Sequence, residues 1–220
     1  MKKHLIFDLD GTLIDSAPSI LEGYDQAFKT TDTPLQVPLR SDVIGPPLIE
    51  SLKILSGSDD DALLQALAEA FKQHYDSSGY LKSVVFSGVS ELLQQLHGAG
   101  YQLYIATNKR LYPTEKIIRH LQWEPLFQDV FALDYFQPAL SRKSDMIGRI
   151  VQDLALPVEE CLYIGDRLED GLAADAQQMD FVLVTWGYAA DAAQKKPHWQ
   201  SCTAVGDLPA LIAGNQGIQS

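Results

Sequence analysis

The 220-residue sequence predicts an α/β protein, in which a parallel β-sheet is covered by helices and a small all-helical segment is inserted near the N-terminus. Two observations lead to this prediction. From position 84 onward, short and continuously apolar segments alternate with helical segments of about ten residues, as in a sheet that is buried on both faces. Between positions 16 and 78, by contrast, the apolar residues recur only at helical spacing.

The composition indicates a globular protein and excludes several classes of partner. Hydrophobic residues make up 46% of the chain, and the net charge of −12 argues against binding to nucleic acid or to an anionic membrane. The two cysteines, Cys161 and Cys202, do not suggest a disulfide framework, because Cys161 falls in a predicted core strand. No segment approaches the roughly 20 apolar residues of a membrane span. We therefore expect a cytoplasmic protein, and its oligomeric state is left open.

The first strand leads directly into a pair of acidic residues. The apolar residues 5–7 precede the sequence Asp8-Leu9-Asp10-Gly11-Thr12. Because side chains alternate along a strand, Asp8 and Asp10 can face the same pocket, and Gly11 then permits a turn. Two adjacent carboxylates repel each other unless a cation or a shared proton offsets their charge, and such an oxygen-lined corner suits Mg²⁺. An ordinary strand-ending turn is the alternative at this point.

The segment that follows reads as a small helical unit. Ser16 and Pro18 predict the start of a helix whose apolar face carries Ile20, Leu21, Tyr24 and Phe28. A second helix is expected between Pro47 and Gly57, and a third begins after the acidic residues 59–61. We therefore predict a helical cap at residues 16–82, and a core built from residues 1–15 and 83–220. Hinges are expected near positions 15–17 and 80–86.

The rest of the chain alternates between helices and strands. Helices are expected at 89–96, after Pro113, after Ser144 as a cap residue, and after Asp166. Strands are expected at 101–106, 129–133, 161–164 and 181–185. Together with the first strand, this alternation predicts a Rossmann-like parallel sheet with helices on both faces.

Polar side chains follow several of these predicted strands. Ligands of open α/β sheets bind beyond the carboxyl ends of the strands. Each residue there has a simpler structural explanation when it is taken alone: a loop start, a solvated lysine or a helix cap. Their joint occurrence at strand ends of one sheet indicates a single site, formed by Asp8, Asp10, Thr107, Asn108, Lys143, Asp166 and Asp170.

In chain order, these residues resemble the four motifs of the haloacid dehalogenase-like hydrolase superfamily. The helical insert after the first motif is similar to the cap of its phosphoglycolate phosphatase-like subgroup. The resemblance implies a Mg²⁺-dependent phosphatase that hydrolyses a small phosphorylated metabolite through an aspartyl-phosphate intermediate, with phosphoglycolate as the favoured substrate. A 5′-nucleotidase or a phosphomutase of the same superfamily is the alternative. From a different class, a non-catalytic phospho-receiver or binding module also has an acidic pocket on a parallel sheet.

The resemblance also implies a role for each residue of the site. Asp8 would be the nucleophile, and Asp10 would protonate the leaving group and then activate water. The expected catalytic residues are Asp8, Asp10, Thr107 and Lys143. The expected substrate-binding residues are Gly11, Thr107, Asn108 and Lys143. The expected Mg²⁺ ligands are Asp8, Asp10 through its backbone carbonyl, and Asp166, with Asp170 behind them as a residue that orients the ligands.

Two features bear on substrate choice. Arg167 stands where relatives usually carry a small hydroxyl residue, and its effect on metal or substrate binding is left open. In the cap, Arg40 or Lys53 reaching the closed site would favour phosphoglycolate, which carries a carboxylate. Tyr24 or Phe28 lining the site would instead favour a nucleoside monophosphate, which presents an aromatic base.

Overall fold

The computed structural model describes residues 2–188 and 195–214. Its main sheet has six strands in the spatial order β5-β4-β1-β6-β7-β8, and each neighbouring pair is parallel. A second sheet pairs β2 with β3 in antiparallel fashion. The strands are β1 (His4–Phe7), β2 (Ile14–Asp15), β3 (Val84–Val85), β4 (Gln102–Thr107), β5 (Phe127–Ala132), β6 (Cys161–Gly165), β7 (Asp180–Val184) and β8 (Gln200–Cys202).

Helices pack on both faces of the main sheet, as the sequence predicts. One hydrophobic cluster joins the sheet to α4, α5 and α8, and a second joins its other face to α6 and α7. None of the helices within the described ranges is long and apolar enough to cross a membrane. The helices are α1 (Ala17–Thr30), α2 (Leu48–Ser56), α3 (Asp61–Tyr75), α4 (Val89–Gly98), α5 (Leu111–His120), α6 (Lys143–Asp153), α7 (Leu168–Ala176) and α8 (Leu208–Gly214).

The central position of β1 determines where the polar strand ends meet. β1 lies between β4 and β6, with Phe7 in register with Ile105 on one side and Ile164 on the other. All three strands run in the same direction, so their carboxyl ends reach the same edge of the sheet. The residues that follow them therefore face a common space.

The inserted helices form a hydrophobic cluster of their own. α1, α2 and α3 bury residues that include Tyr24, Phe71 and Tyr75, whose rings pack in series with centroid distances of 4.9 and 5.3 Å. The chain enters and leaves this unit through β2 and β3, which are hydrogen-bonded to each other. The boundaries 16–82 and the hinge positions stay predictions.

Several local details differ from the sequence-based expectations. β8 and α8 were not expected; β8 has only three residues, of which two are polar, so apolar periodicity does not reveal it. α6 begins at Lys143 with Arg142 in the cap position, so Ser144 is not its cap. Ser16 precedes α1 but makes no capping bond, because its hydroxyl donates to the buried carboxylate of Asp10.

Candidate active site

Three buried carboxylates from the core form a compact cluster. Asp8 follows β1, Asp166 follows β6, and Asp170 lies in the first turn of α7. Each offers one oxygen, and these oxygens all lie within 4.8 Å of one another. Three like charges at this distance in a buried site repel strongly, so the cluster requires compensation by cations or protons.

Lys143 supplies part of that compensation. Its ammonium donates to Asp8 Oδ1 at 3.0 Å and to Asp170 Oδ1 at 2.6 Å, and only 4% of its side chain is exposed. Burial alone would lower the pKa of Lys143, but the carboxylates of Asp170 and Asp8 raise it well above its ordinary value. Lys143 therefore stays charged, and one positive charge faces three carboxylates.

Two of the three carboxylates, those of Asp8 and Asp166, have raised pKa values. Burial raises the pKa of Asp8 to about 7, although Lys143 opposes this shift. Burial, together with the charges of Asp170 and Asp8, raises the pKa of Asp166 to about 8. In the absence of a metal, the cluster therefore holds protons near neutral pH that free aspartates would have lost.

The donor set of the cluster fits a hard divalent cation such as Mg²⁺. Asp166 is oriented by the backbone amide of Tyr188, which donates to its Oδ2 at 2.7 Å. Both oxygens of Asp170 are engaged, one by Lys143 and the other by the Arg167 amide at 2.9 Å, which suits a residue behind the direct ligands. Gly11 has φ +85°, and a Cβ there would collide with the Asp166 carboxylate.

Asp10 lies apart from the three-carboxylate cluster, in a pair with Lys109. The Lys109 ammonium lies 3.0 and 3.1 Å from the two carboxylate oxygens of Asp10, and the Ser16 hydroxyl donates to the same group. Burial alone would lower the pKa of Lys109, but the Asp10 carboxylate raises it above its ordinary value. The sequence analysis missed Lys109, although its place two residues after Thr107, at a strand end, could have revealed it.

Three further residues were predicted to bind substrate, and the structure places only two of them, Thr107 and Asn108, at the cavity. Thr107 is buried beside the cavity, and its hydroxyl oxygen accepts from the Lys109 amide at 3.2 Å. The Asn108 side chain donates across to the cap, to Gly45 O at 2.9 Å, as well as to Glu169 at 3.3 Å. Gly11 does not line the cavity, because its amide closes a turn by donating to Ile14 O.

A cavity that is partly open to solvent lies between core and cap. Lys143 contacts Asp8 from outside its lining. The core residues that line it are mostly polar or charged: Asp8, Asp10, Thr107, Asn108, Lys109, Arg110 and Pro113. Most of the cap residues in its wall are apolar or aromatic: Ile20, Tyr24, Ile44, Pro46, Leu48, Phe71 and Tyr75.

Of the four cap residues that the sequence analysis connected with substrate choice, one lines the cavity. Tyr24 lines the cavity, whereas Phe28 is buried in the cap cluster. Arg40 and Lys53 are exposed and do not line the cavity, and the Lys53 ammonium pairs with Asp59 at 3.0 Å. Of the residues that set the criterion for substrate choice, the cavity wall therefore contains Tyr24 and neither Arg40 nor Lys53.

The shifted pKa values predict how the stability of the metal-free protein depends on pH. The folded pKa values of Asp8 (about 7) and Asp166 (about 8) lie above the ordinary value of 3.8. The folded state therefore binds more protons than the unfolded state in this window, and the free energy of unfolding falls as pH rises from about 4 to about 8. In chelator, we expect a lower melting temperature at about pH 8 than at about pH 6, and saturating Mg²⁺ should restore the loss.

The matched variants for this measurement are Asp166→Asn, which carries the shape of the protonated acid, and Asp153→Asn on the exposed side of α6. The first should flatten the pH dependence of the melting temperature, and the second should leave it unchanged. A melting temperature in chelator that rises between these pH values would contradict the assigned direction of the shifts.

The architecture and the site define the class of this protein: an α/β protein whose acidic centre lies at the carboxyl end of the central strand, beneath a helical insert. The family model of haloacid dehalogenase-like hydrolases matches residues 5–184. The chain belongs to this family.

The chain is similar in sequence to three named proteins. Tyrosine-protein kinase PtkA of Mycobacterium tuberculosis is 32% identical over 187 residues, a match that covers 84% of this chain but 62% of the kinase. The solved structure of PtkA has a TM-score of 0.78 at 29% identity and covers 96% of this chain and 98% of that one. The 5′-nucleotidase of Pseudomonas aeruginosa is 29% identical over 86% of this chain and 85% of its own length. The phosphoglycolate phosphatase of Colwellia psychrerythraea is 31% identical over 90% and 92%.

Proposed function

We propose that the protein is a Mg²⁺-dependent phosphatase that hydrolyses a small phosphate monoester through an aspartyl-phosphate on Asp8. The observation that carries the proposal is the position of the Asp8 carboxylate: it lines the cavity and contacts the buried Lys143 at 3.0 Å. Membership of the hydrolase family supports the proposal. Two of the relatives described above are named as phosphatases of small phosphorylated metabolites, which gives it further support.

The first step is the transfer of the phosphoryl group to Asp8. A carboxylate oxygen of Asp8 forms a bond to phosphorus as the bond from phosphorus to the ester oxygen breaks, and Asp10, protonated when this step begins, donates its proton to the departing alkoxide. Lys143 holds the Asp8 carboxylate in place and offsets negative charge near the reacting phosphorus. Mg²⁺, held by Asp8, Asp166 and the Asp10 carbonyl, would supply most of the charge neutralisation.

The second step returns Asp8 to its free form. Asp10, now ionised, takes a proton from water, and the oxygen of that water attacks phosphorus and releases inorganic phosphate. The Lys109 ammonium and the Ser16 hydroxyl hold the Asp10 carboxylate at the edge of the cavity, where both proton transfers take place. The cap limits access of other water to the intermediate.

The cavity wall supports a nucleoside monophosphate over phosphoglycolate as the substrate. Glycolate carries a second negative charge and requires a cation or free amides, but Lys109 already pairs with Asp10, and Arg110 pairs with Asp76 of the cap. A nucleoside instead presents apolar and aromatic surface, which suits the mostly apolar cap wall of the cavity. The relation to a 5′-nucleotidase agrees with this choice.

The proposal predicts Mg²⁺-dependent release of phosphate from p-nitrophenyl phosphate and a defined substrate ranking. Activity should disappear in chelator and return with Mg²⁺. Among phosphoglycolate, nucleoside monophosphates, sugar phosphates and pyrophosphate, kcat/KM should be highest for a nucleoside monophosphate. The margin over phosphoglycolate should be about tenfold, which corresponds to about 1.4 kcal/mol of transition-state binding.

Three outcomes would contradict the proposed function. Full activity in chelator would remove the metal from the mechanism. Phosphoglycolate ranking tenfold above the nucleotides would overturn the substrate choice and restore the expectation from the family resemblance. The same preparation should be assayed with ATP and a tyrosine-containing peptide. Transfer to tyrosine faster than hydrolysis would place the activity with the kinase relative instead.

A further inference from the structure

Arg167 links the metal-binding edge of the core to the cap. It occupies the cap position of α7, directly after Asp166, and its amide donates to Asp170 Oδ2 at 2.9 Å. Its guanidinium reaches away from the carboxylate cluster. Nη1 donates to Tyr188 O at 3.2 Å, and Nη2 donates to the carbonyls of Asp42 at 3.0 Å and Ser41 at 3.4 Å in the cap. The backbone of Arg167 thus contacts the core, and its side chain contacts both Tyr188 of the core and the cap.

The cap residues that Arg167 contacts adjoin the cavity wall. Ser41 and Asp42 belong to a short helical turn, and the next residues, Ile44, Gly45 and Pro46, line the cavity. Gly45 has φ +120°, and a Cβ there would lie 2.8 Å from Arg167 Nε, so the guanidinium packs directly against this part of the backbone. We call residues 41–46 the cap strap.

A second core side chain binds the same segment. Asn108, which follows β4, donates from Nδ2 to Gly45 O at 2.9 Å. The cap strap is therefore held through its backbone carbonyls by one residue from the β4 end and one from the β6 end. Both of these residues lie directly beside the side chains that we assign to the reaction, Thr107 and Asp166 respectively.

We propose that Arg167 is a positioning residue that fixes the cap strap over the cavity and so couples cap closure to the metal-binding edge. This inference rests on the proposed function only where it concerns catalysis. A guanidinium donates to carbonyls from several nitrogens spread over a rigid plane, whereas the three donors of a lysine ammonium share one nitrogen on a flexible stem. The contact therefore depends on arginine at this position. Because the acceptors are the backbone carbonyls of Ser41 and Asp42, their side chains take no part in it, but position 45 must remain glycine.

The test compares Arg167→Met, Arg167→Lys and the matched control Arg149→Met, since Arg149 pairs with Asp153 on the exposed side of α6. Amide hydrogen exchange of residues 41–45, the part of the cap strap that carries backbone N–H groups, is measured first, with and without Mg²⁺. Arg167→Met should accelerate exchange in this segment by about tenfold or more, and Arg167→Lys by a smaller factor. Arg149→Met should match the wild type. This readout requires no activity.

Kinetics then test the coupling. In Arg167→Met, KM for the best substrate should rise about tenfold with kcat changed less than about threefold, and Arg167→Lys should recover part of the loss. Unchanged exchange at 41–45 would overturn the proposal. A raised Mg²⁺ requirement without a change in KM would also overturn it, because Arg167 would then act on the metal instead of the cap. If Arg167→Met exchanged faster but the wild-type protein released no phosphate, the proposed function would be refuted. The contact between Arg167 and the cap strap would still be supported.

Discussion

Replacing Asp8 by asparagine is expected to lower kcat for phosphate release by about 10³-fold or more while the protein remains folded. The amide has the shape of the carboxylate, but it is a poor nucleophile and a poor ligand for a divalent cation. The change also removes one negative charge from a cluster that holds three carboxylates within 4.8 Å, so the variant should be no less stable than the wild type in chelator.

Three measurements check this expectation. The first is kcat of the variant beside Asp153→Asn, which should keep wild-type activity. The second is the melting temperature of both proteins. The third is the intact mass of wild-type protein quenched in acid during turnover, which should include an adduct of one phosphoryl group on Asp8. If Asp8→Asn kept even a tenth of wild-type kcat, the covalent mechanism would be wrong.

Replacing Lys143 by methionine should impair both activity and stability. Removing one partner of a buried ion pair typically costs about 3–5 kcal/mol, because the remaining charge stays buried without compensation. Lys143 contacts two carboxylates, Asp8 and Asp170, and is almost fully buried. In chelator at neutral pH, we therefore expect a loss of that order in the free energy of unfolding. The loss of a group that offsets charge at the reacting centre should also lower kcat by at least about 10²-fold.

Changing the pH and adding Mg²⁺ tests whether uncompensated negative charge causes this loss in the free energy of unfolding. Acidification to about pH 5 should reduce it, because protonated carboxylates no longer repel, and Mg²⁺ should also reduce it by taking over part of the neutralisation. Urea unfolding under the three conditions, with the exposed Lys29→Met as control, gives the comparison. A Lys143→Met protein as stable as the wild type in chelator would show that Lys143 does not stabilise the carboxylate cluster.

Most of the sheet, and most of the residues proposed for the site, could be predicted from local patterns in the sequence. An apolar strand that ends in Asp8-Leu9-Asp10 is a local feature, and so are the helical periodicities that separate the later strands. Parallel strands joined by helices bring their carboxyl ends to one edge, so the meeting of Asp8, Thr107 and Asp166 follows from topology alone. The catalytic roles of these residues, the metal ligands and the cap boundaries stay predictions.

Only the tertiary structure decided which side chains contact one another across the two parts of the chain. Tyr24 and Phe28 lie one turn apart on the same apolar face of α1, yet one lines the cavity and the other packs inside the cap. The pairing of Lys109 with Asp10 and the reach of Arg167 to Ser41 and Asp42 join residues far apart in sequence. Periodicity identifies the buried face of an element, but the contacts on that face depend on how separate elements pack in three dimensions.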